Sequence, residues 1–271
     1  MDPSEIKKAN IEFHSRLASK YREQPFFRPE NLRRVRSLLS SMAAETGGGR
    51  LLDIGCGTGF IFDLGHDLFA QLDGIDITPQ MLDLVTPRPN VRTRIAAAEA
   101  LPFEDATFDV VTMYSVLHHL PDLASALHEA RRVLRPGGIL YADESPSRHY
   151  LDALPRLSAL PALPPALVPE FDRLANDART FSELYQISPN ITRLAMVQNY
   201  YVGGLTEENL RELLAAAGFS NVSIRFRRFA GEDDLRRRRG ESAVAEVQSY
   251  LSSVLPISRA LFKFFELKAH S

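Results

Sequence analysis

Apolar residues near the start of the chain, Ile6, Ala9, Phe13, Leu17 and Tyr21, recur at steps of three and four and predict a helix with one buried stripe. Pro25 and Pro29 interrupt the pattern. A second stripe then runs through Leu32, Val35, Leu38, Leu39 and Met42 until Gly47-Gly48-Gly49 lets the chain turn. From Arg50 the texture changes to short continuous apolar runs separated by helical patterns. Strands are predicted over 51–54, 72–77, 91–95, 108–114 and 139–142, with helices over 60–69, 79–85 and 123–134. Asp122 stands where it would cap the last of these helices. Strands and helices alternating at this spacing predict parallel βαβ units, an open α/β sheet, and ligands at the carboxyl ends of its strands.

The rhythm breaks between Glu144 and Gly204. Six of the 17 prolines lie between Pro146 and Pro169 among Leu and Ala, and an insertion after a sheet strand is placed to act as a lid. A helix over 206–217, a strand over 221–229, a helix over 242–255 and an edge-region strand over 261–268 are predicted to follow. The organisation expected is a helical cap (1–49), a core (50–145), a lid (146–204) and the remainder of the sheet (205–271).

Composition narrows the function. Of 271 residues, 45% are apolar, enough for a sizeable core, and 32 Lys+Arg against 34 Asp+Glu give a net charge of -2, which argues against an obligate nucleic-acid binder. A single cysteine excludes a disulfide framework, and scattered Asp and His residues give no metal-ligand spacing. Met1-Asp2-Pro3-Ser4-Glu5 does not read as a signal peptide, and the greasy stretch 151–171 holds five prolines and three charges, so it cannot span a bilayer as a helix. A soluble cytoplasmic protein without membrane insertion is expected.

The chemistry concentrates in Leu51-Leu52-Asp53-Ile54-Gly55-Cys56-Gly57-Thr58-Gly59, a strand ending in an acid, three alternate glycines, and the start of a helix. Bulky Phe60 stands where a dinucleotide loop wants a small residue. Asp53 would repel a pyrophosphate but suits an ammonium group, and Asp76 at the tip of the next strand suits ribose hydroxyls. An ammonium and a ribose describe S-adenosylmethionine better than NAD.

The segment resembles motif I of the class I S-adenosylmethionine-dependent methyltransferases, and later segments follow that family in order. These are Gly74-Ile75-Asp76-Ile77-Thr78-Pro79-Gln80-Met81, Ala98-Glu99-Ala100-Leu101-Pro102-Phe103, Phe108-Asp109-Val110-Val111, Val116-Leu117-His118-His119-Leu120-Pro121-Asp122 and Leu134-Arg135-Pro136-Gly137-Gly138. Together they look like the methyltransferase-11 branch, over about residues 50–145. The resemblance implies a Rossmann-like seven-stranded sheet with N-terminal helices and an inserted lid after strand five. It also implies S-adenosylmethionine as cofactor, with S-adenosylhomocysteine as product. Gly55, Gly57 and Gly59 would pass under the methionine part, whose amino group Asp53 would help hold. Asp76 would take the ribose, Ile77 and Met81 the adenine face, and Ala98 and Glu99 its edge. Ala96-Ala97 stands where the family often has Gly-Asp. Cys56 fills a small-residue slot of the loop, and Tyr114 and Ser115 are placed to line the pocket.

Methyl transfer from a sulfonium asks mainly for alignment, exclusion of water and, where needed, a base. His118 and His119 stand near the expected methyl group, where an imidazole takes a proton; the other reading is that they pack the turn and cap the next helix. Glu144 after strand five is a base or a solvated acid. Tyr21 is a cation–π shield for the sulfonium or the end of a stripe. His149 is a weaker candidate in the lid, and Tyr200 and Tyr201 are pocket aromatics or core. Arg236–Arg239 reads as a solvated connection rather than an anion site. The acceptor expected is an oxygen or nitrogen of a small, partly hydrophobic molecule, with quinone-type carbon methylation and a non-methylating binding protein as alternatives. A nucleic-acid methyltransferase is disfavoured, since Tyr114-Ser115-Val116-Leu117 is no Asn/Asp-Pro-Pro-aromatic motif. Oligomeric state is left open.

Overall fold

The computed structural model describes residues 1–159, Val168 and 177–271. Most of the Leu/Pro-rich stretch within the expected lid therefore lies outside the described residues.

Seven strands form one sheet in the order β3-β2-β1-β4-β5-β7-β6. Their ranges are Arg50–Ile54 (β1), Gln71–Asp76 (β2), Val91–Ile95 (β3), Phe108–Tyr114 (β4), Leu134–Pro146 (β5), Ser220–Phe229 (β6) and Phe262–His270 (β7). The first five are parallel, as their helix-separated spacing predicts, and β7 runs antiparallel to both β5 and β6. The expectation of an edge position for the last strand is thus corrected. Phe265 and Leu267 are buried and pair in register with residues of both β5 and β6, so β7 sits inside the sheet and β6 is the edge.

Central strands bury both faces, which is why they read as unbroken apolar runs. Leu51, Val110 and Ile139 point to one face, covered by α2 (Pro29–Thr46) and α3 (Phe60–Gly65), while α1 (Pro3–Leu17) packs away from this core. Val35 and Leu39 of α2 and Ile61 of α3 complete that core. Leu52, Val111 and Leu140 point to the other face, and α4 (Pro79–Leu82) is a single turn between β2 and β3. The opposite core is covered by α5 (Leu123–Val133), through Leu127 and Ala130. Asp122 does cap α5, its carboxylate accepting from Ser125 N at 3.0 Å, so the cap is this acid and not the histidine pair.

After β5 come α6 (Arg148–Ser158), α7 (Asp177–Tyr185), α8 (Pro189–Ala195) and a π-turn over Gln198–Val202. The next helix, α9 (Glu207–Ala216), buries Leu210 and Leu214 beside α5. The last, α10 (Glu232–Ser253), begins ten residues before the predicted helix over 242–255 and is kinked at Gly240. Its arginines are locally paired: Arg236 with Glu232 and Glu241, and Arg237 and Arg238 with Asp234. Local acids three to five residues away outweighed the reading of this run as an open connection. A third apolar cluster joins Phe13 and Leu17 of α1 to Ile187 and Ala195, so the segment after α7 and the first helix pack as one roof. No helix among the described residues is long and apolar enough to cross a membrane.

Candidate functional site

The chain leaves β1 and returns through β4 beside it, so crossovers from the two halves diverge there and open a crevice at the carboxyl ends of the strands. The glycine loop after β1 folds back onto β2, with Gly55 N and Cys56 N both donating to Ile75 O. Gly55 (φ 72°) has no room for a side chain, since a Cβ there would come within 2.5 Å of Val116 Cγ2. A Cβ on Gly57 (φ 52°) would approach Met81 Cε at 3.2 Å and stand 3.7 Å from the Tyr21 ring. Asp76 ties the loop to the next turn: one oxygen accepts from Gly57 N at 3.0 Å and the other from Thr78 N at 2.8 Å.

The result is a pocket of about 640 Å³, mouth included. Among the residues singled out in the sequence, Gly55, Gly57, Asp76, Ile77, Met81, Ala98, Glu99, Ser115, Tyr21 and His119 line it. Three lining residues were missed: Lys7, Asn10 and His14 of α1. Their signal was present, since each directly follows an apolar stripe residue (Ile6, Ala9, Phe13) and they share a neighbouring strip of the same helix. Lys7 Nζ pairs with Glu99 Oε2 at 3.1 Å. Asn10 Oδ1, Thr78 Oγ1 and Glu99 Oε1 are buried with no protein partner among the described residues, although their residues face the pocket. Buried polar atoms of this kind call for a polar ligand or ordered water.

Three imidazoles adjoin. The His14 and His119 rings meet edge to face at 4.7 Å, and His118 lies 4.1 Å from His119. Burial first, and then the neighbouring imidazoles, pushes His118 down to about 3 and His119 well below its ordinary value. Burial also lowers His14, against the pull of Asp76. All three are neutral near pH 7. His119 Nδ1 lies 2.7 Å from Ala195 O and His14 Nδ1 lies 2.9 Å from Asn10 O. A carbonyl only accepts, so each Nδ1 carries the proton and each Nε2 the lone pair.

Other candidates stand outside the pocket lining. Asp53 is 2% exposed behind the loop and accepts from Thr112 Oγ1 at 2.6 Å; burial, opposed by that bond, pushes it up to about 8. Cys56 packs beneath the loop against Gly74, and Gly59 precedes α3 beside Phe62 and Val85. Tyr114 turns away from the pocket, stacked on Phe60 at 4.5 Å with its hydroxyl accepting from Asn31 Nδ2 at 2.7 Å. Glu144 is buried with its Oε2 3.4 Å from Arg228, and burial raises its pKa. His118 is buried behind His119. His149 faces Glu208, while Tyr200 and Tyr201 are exposed. A larger cavity, about 1800 Å³, opens between α2, β6 and α10. Its six arginines are matched by six carboxylates, so it has no surplus of charge for a polyanion.

Residues 52–142, which hold the glycine loop, Asp76, Glu99 and His119, match the family model described as a methyltransferase domain. Over these residues the chain is similar to the methyltransferase-11 family of methyltransferase domains. A ubiquinone/menaquinone biosynthesis C-methyltransferase from Desulfotalea psychrophila is 36% identical over 110 residues, covering 39% of this chain and 45% of that protein. A 27-O-demethylrifamycin SV methyltransferase from Amycolatopsis mediterranei is 38% identical over 117 residues, 40% of this chain and 42% of that protein. The chain spans about half the length of the curated relatives it matches. The fold of the methyltransferase domain and its surroundings is shared with a crystal structure of an S-adenosylmethionine dependent methyltransferase from Mesorhizobium loti. Here the TM-score is 0.53 at 17% identity, over 87% of this chain and 96% of that one.

Proposed function

We propose that this protein transfers a methyl group from S-adenosylmethionine to an oxygen or nitrogen of a small, partly hydrophobic molecule. The observation that carries the reading is the Asp76 carboxylate at the tip of β2, fixed by Gly57 N and Thr78 N, at the edge of a pocket lined by unpartnered buried acceptors. Those acceptors and the glycine cradle fit a ligand with a hydroxylated sugar, an amino-bearing base and a close-lying backbone contact. S-adenosylmethionine, when bound, supplies a methyl group on a positively charged sulfur, which leaves readily.

The residues then divide the work. Asp76 accepts from the ribose hydroxyls, Ile77 and Met81 hold the adenine face, and Ala98 and Glu99 meet its edge. Lys7 keeps Glu99 turned to the base, which offsets the absence of an acid at Ala96-Ala97. Gly55 and Gly57 admit the methionine part, and Asp53 lies behind them, where an ammonium would draw its carboxyl back toward the ionised form against burial. Tyr21 lies over Gly57, where its ring face suits a sulfonium. His119, neutral with a free Nε2, takes the proton that a hydroxyl or ammonium acceptor loses. The roof made by α1 and the segment 187–195 keeps water from the reacting groups.

The printed names of the relatives divide between carbon and oxygen acceptors, which favours carbon methylation as the second reading. Calorimetric titration of S-adenosylmethionine and S-adenosylhomocysteine tests the first step. Binding at about micromolar Kd is expected for the wild type and loss of it for Asp76→Ala, followed by a gain of one methyl mass in an acceptor screen. Binding of NAD or NADP instead, or of no nucleotide at all, would overturn the reading.

A further inference from the structure

The turn that carries His119 is held by two segments remote from it in sequence. From α1, Asn10 Nδ2 donates to His119 O at 3.3 Å. From the segment after α7, Gln198 Nε2 donates to Leu120 O at 2.8 Å, and Ala195 O receives the Nδ1 proton of His119 at 2.7 Å. Gln198 is 6% exposed and opens the π-turn, a widened turn of the kind found at functional positions. The segment is itself built to be placed. Ser188 caps α8 through Ile191 N, and Ile187 and Ala195 pack on Phe13 and Leu17.

These contacts fix more than position. A neutral imidazole carries its proton on either nitrogen, and only the form protonated at Nδ1 can accept through Nε2. Apart from the histidine itself, nothing in the turn 117–120 decides between the forms; the deciding acceptor is Ala195 O, 76 residues away. We infer that docking of the segment from Ser188 to Val202 sets His119 in its Nδ1-protonated form, and that Gln198 is the positioning residue that holds the segment against the turn. The catalytic consequence rests on His119 as the base proposed above, but the protonation pattern does not. A pocket whose roof is undocked would hold a histidine able to donate where it should accept, so the base becomes competent only when water is excluded.

The test is long-range proton–nitrogen NMR of the full chain labelled with nitrogen-15 histidine, without cofactor or acceptor, with the His119 signals assigned from His119→Gln. The wild type should show a protonated Nδ1 and an unprotonated Nε2. Gln198→Met keeps the side-chain length and removes the donor, and it should move both His119 signals toward the opposite or an averaged form while thermal unfolding still shows a folded protein. If Gln198→Met does not fold, Gln198→Leu, which also has no donor, carries the same expectation. A wild type protonated at Nε2, or a folded variant whose His119 signals are unchanged, would overturn the inference. Absence of S-adenosylmethionine binding would overturn the proposed activity and leave the NMR result standing. If the activity holds, Gln198→Met should lower kcat about tenfold with little change in cofactor affinity, the signature of a misplaced base.

Discussion

Asp53 and Asp76 are the same residue at the tips, or just short of the tips, of neighbouring strands, and their surroundings separate them. Asp76 faces the pocket with two backbone donors on its oxygens. Asp53 is enclosed, with Thr112 Oγ1 its one side-chain donor among the described residues, and burial raises it to about 8 from an ordinary 3.8. The folded protein therefore holds a proton that the unfolded chain releases, so stability falls as pH rises toward 8. The buried histidines act in the opposite sense. His118 is depressed to about 3 from 6.5, so the unfolded chain takes up protons that the folded state refuses, and stability falls as pH drops below about 6.5. Above 6.5 these histidines are neutral in both states and the carboxyl dominates, with buried Glu144 shifted the same way. The unliganded protein is thus expected to show its highest Tm near pH 6.5. Asp53→Asn should flatten the decline between pH 6.5 and 8, and His118→Gln should soften the acid side. An Asp53→Asn profile parallel to that of the wild type above pH 6.5 would remove Asp53 from the account.

At the scale of elements, what could be read beforehand was whatever depends on neighbours in sequence. The stripes of the N-terminal helices turn inward as their periodicity requires, with Ile6, Ala9, Phe13, Leu17, Val35, Leu39 and Met42 buried and Leu32 and Leu38 partly so, while Tyr21 falls just beyond the end of α1. The five parallel strands came from apolar runs bounded by helices, and the α5 cap from an acid before a periodic stretch. Asp122→Ala should accordingly cost about 1 kcal/mol in urea unfolding, because Ser125 N loses its acceptor. Cofactor affinity should change little, since Asp122 does not line the pocket even though Leu120 and Pro121 just before it do; a clearly weaker affinity would show that the cap also supports the site. Elements set by distant partners were misread or not visible. The last strand looked like an edge because nothing in residues 262–270 states that both neighbours will be present. The polar strip of α1 went unread because its partners, Glu99 and His119 O, come from segments that follow other strands. Tyr114 was legible as a strand-end residue, but its direction was not, since that depends on Phe60 and Asn31.

Across the whole molecule, one arginine joins the parts that local patterns leave separate. Arg34 of α2 donates to Asp143 at 2.5 Å at the end of β5 and to Glu266 at 2.8 Å on β7, while Tyr141 OH donates to the same Asp143 oxygen at 2.7 Å. Asn31, one turn earlier on α2, reaches Tyr114 at the end of β4. Helix α2 thereby fastens β4, β5 and the inserted β7, and the strand ends so fixed lead into the His119 turn and Glu144. Asp143 has no exposed surface, so the cation cannot be replaced there by water. Removing it leaves a buried acid with only neutral donors, a defect that typically costs roughly 3–5 kcal/mol, whereas removing both charges costs far less. Arg34→Met should therefore lower unfolding stability by about that amount, and the double variant Arg34→Met with Asp143→Asn should recover a large part of it. The coupling should appear in urea denaturation as a double-mutant cycle well outside additivity. Were the two changes simply additive, the buried pair would hold nothing together, and the tie between α2 and the C-terminal strands would have to come from the apolar contacts of Val35 and Leu39 alone.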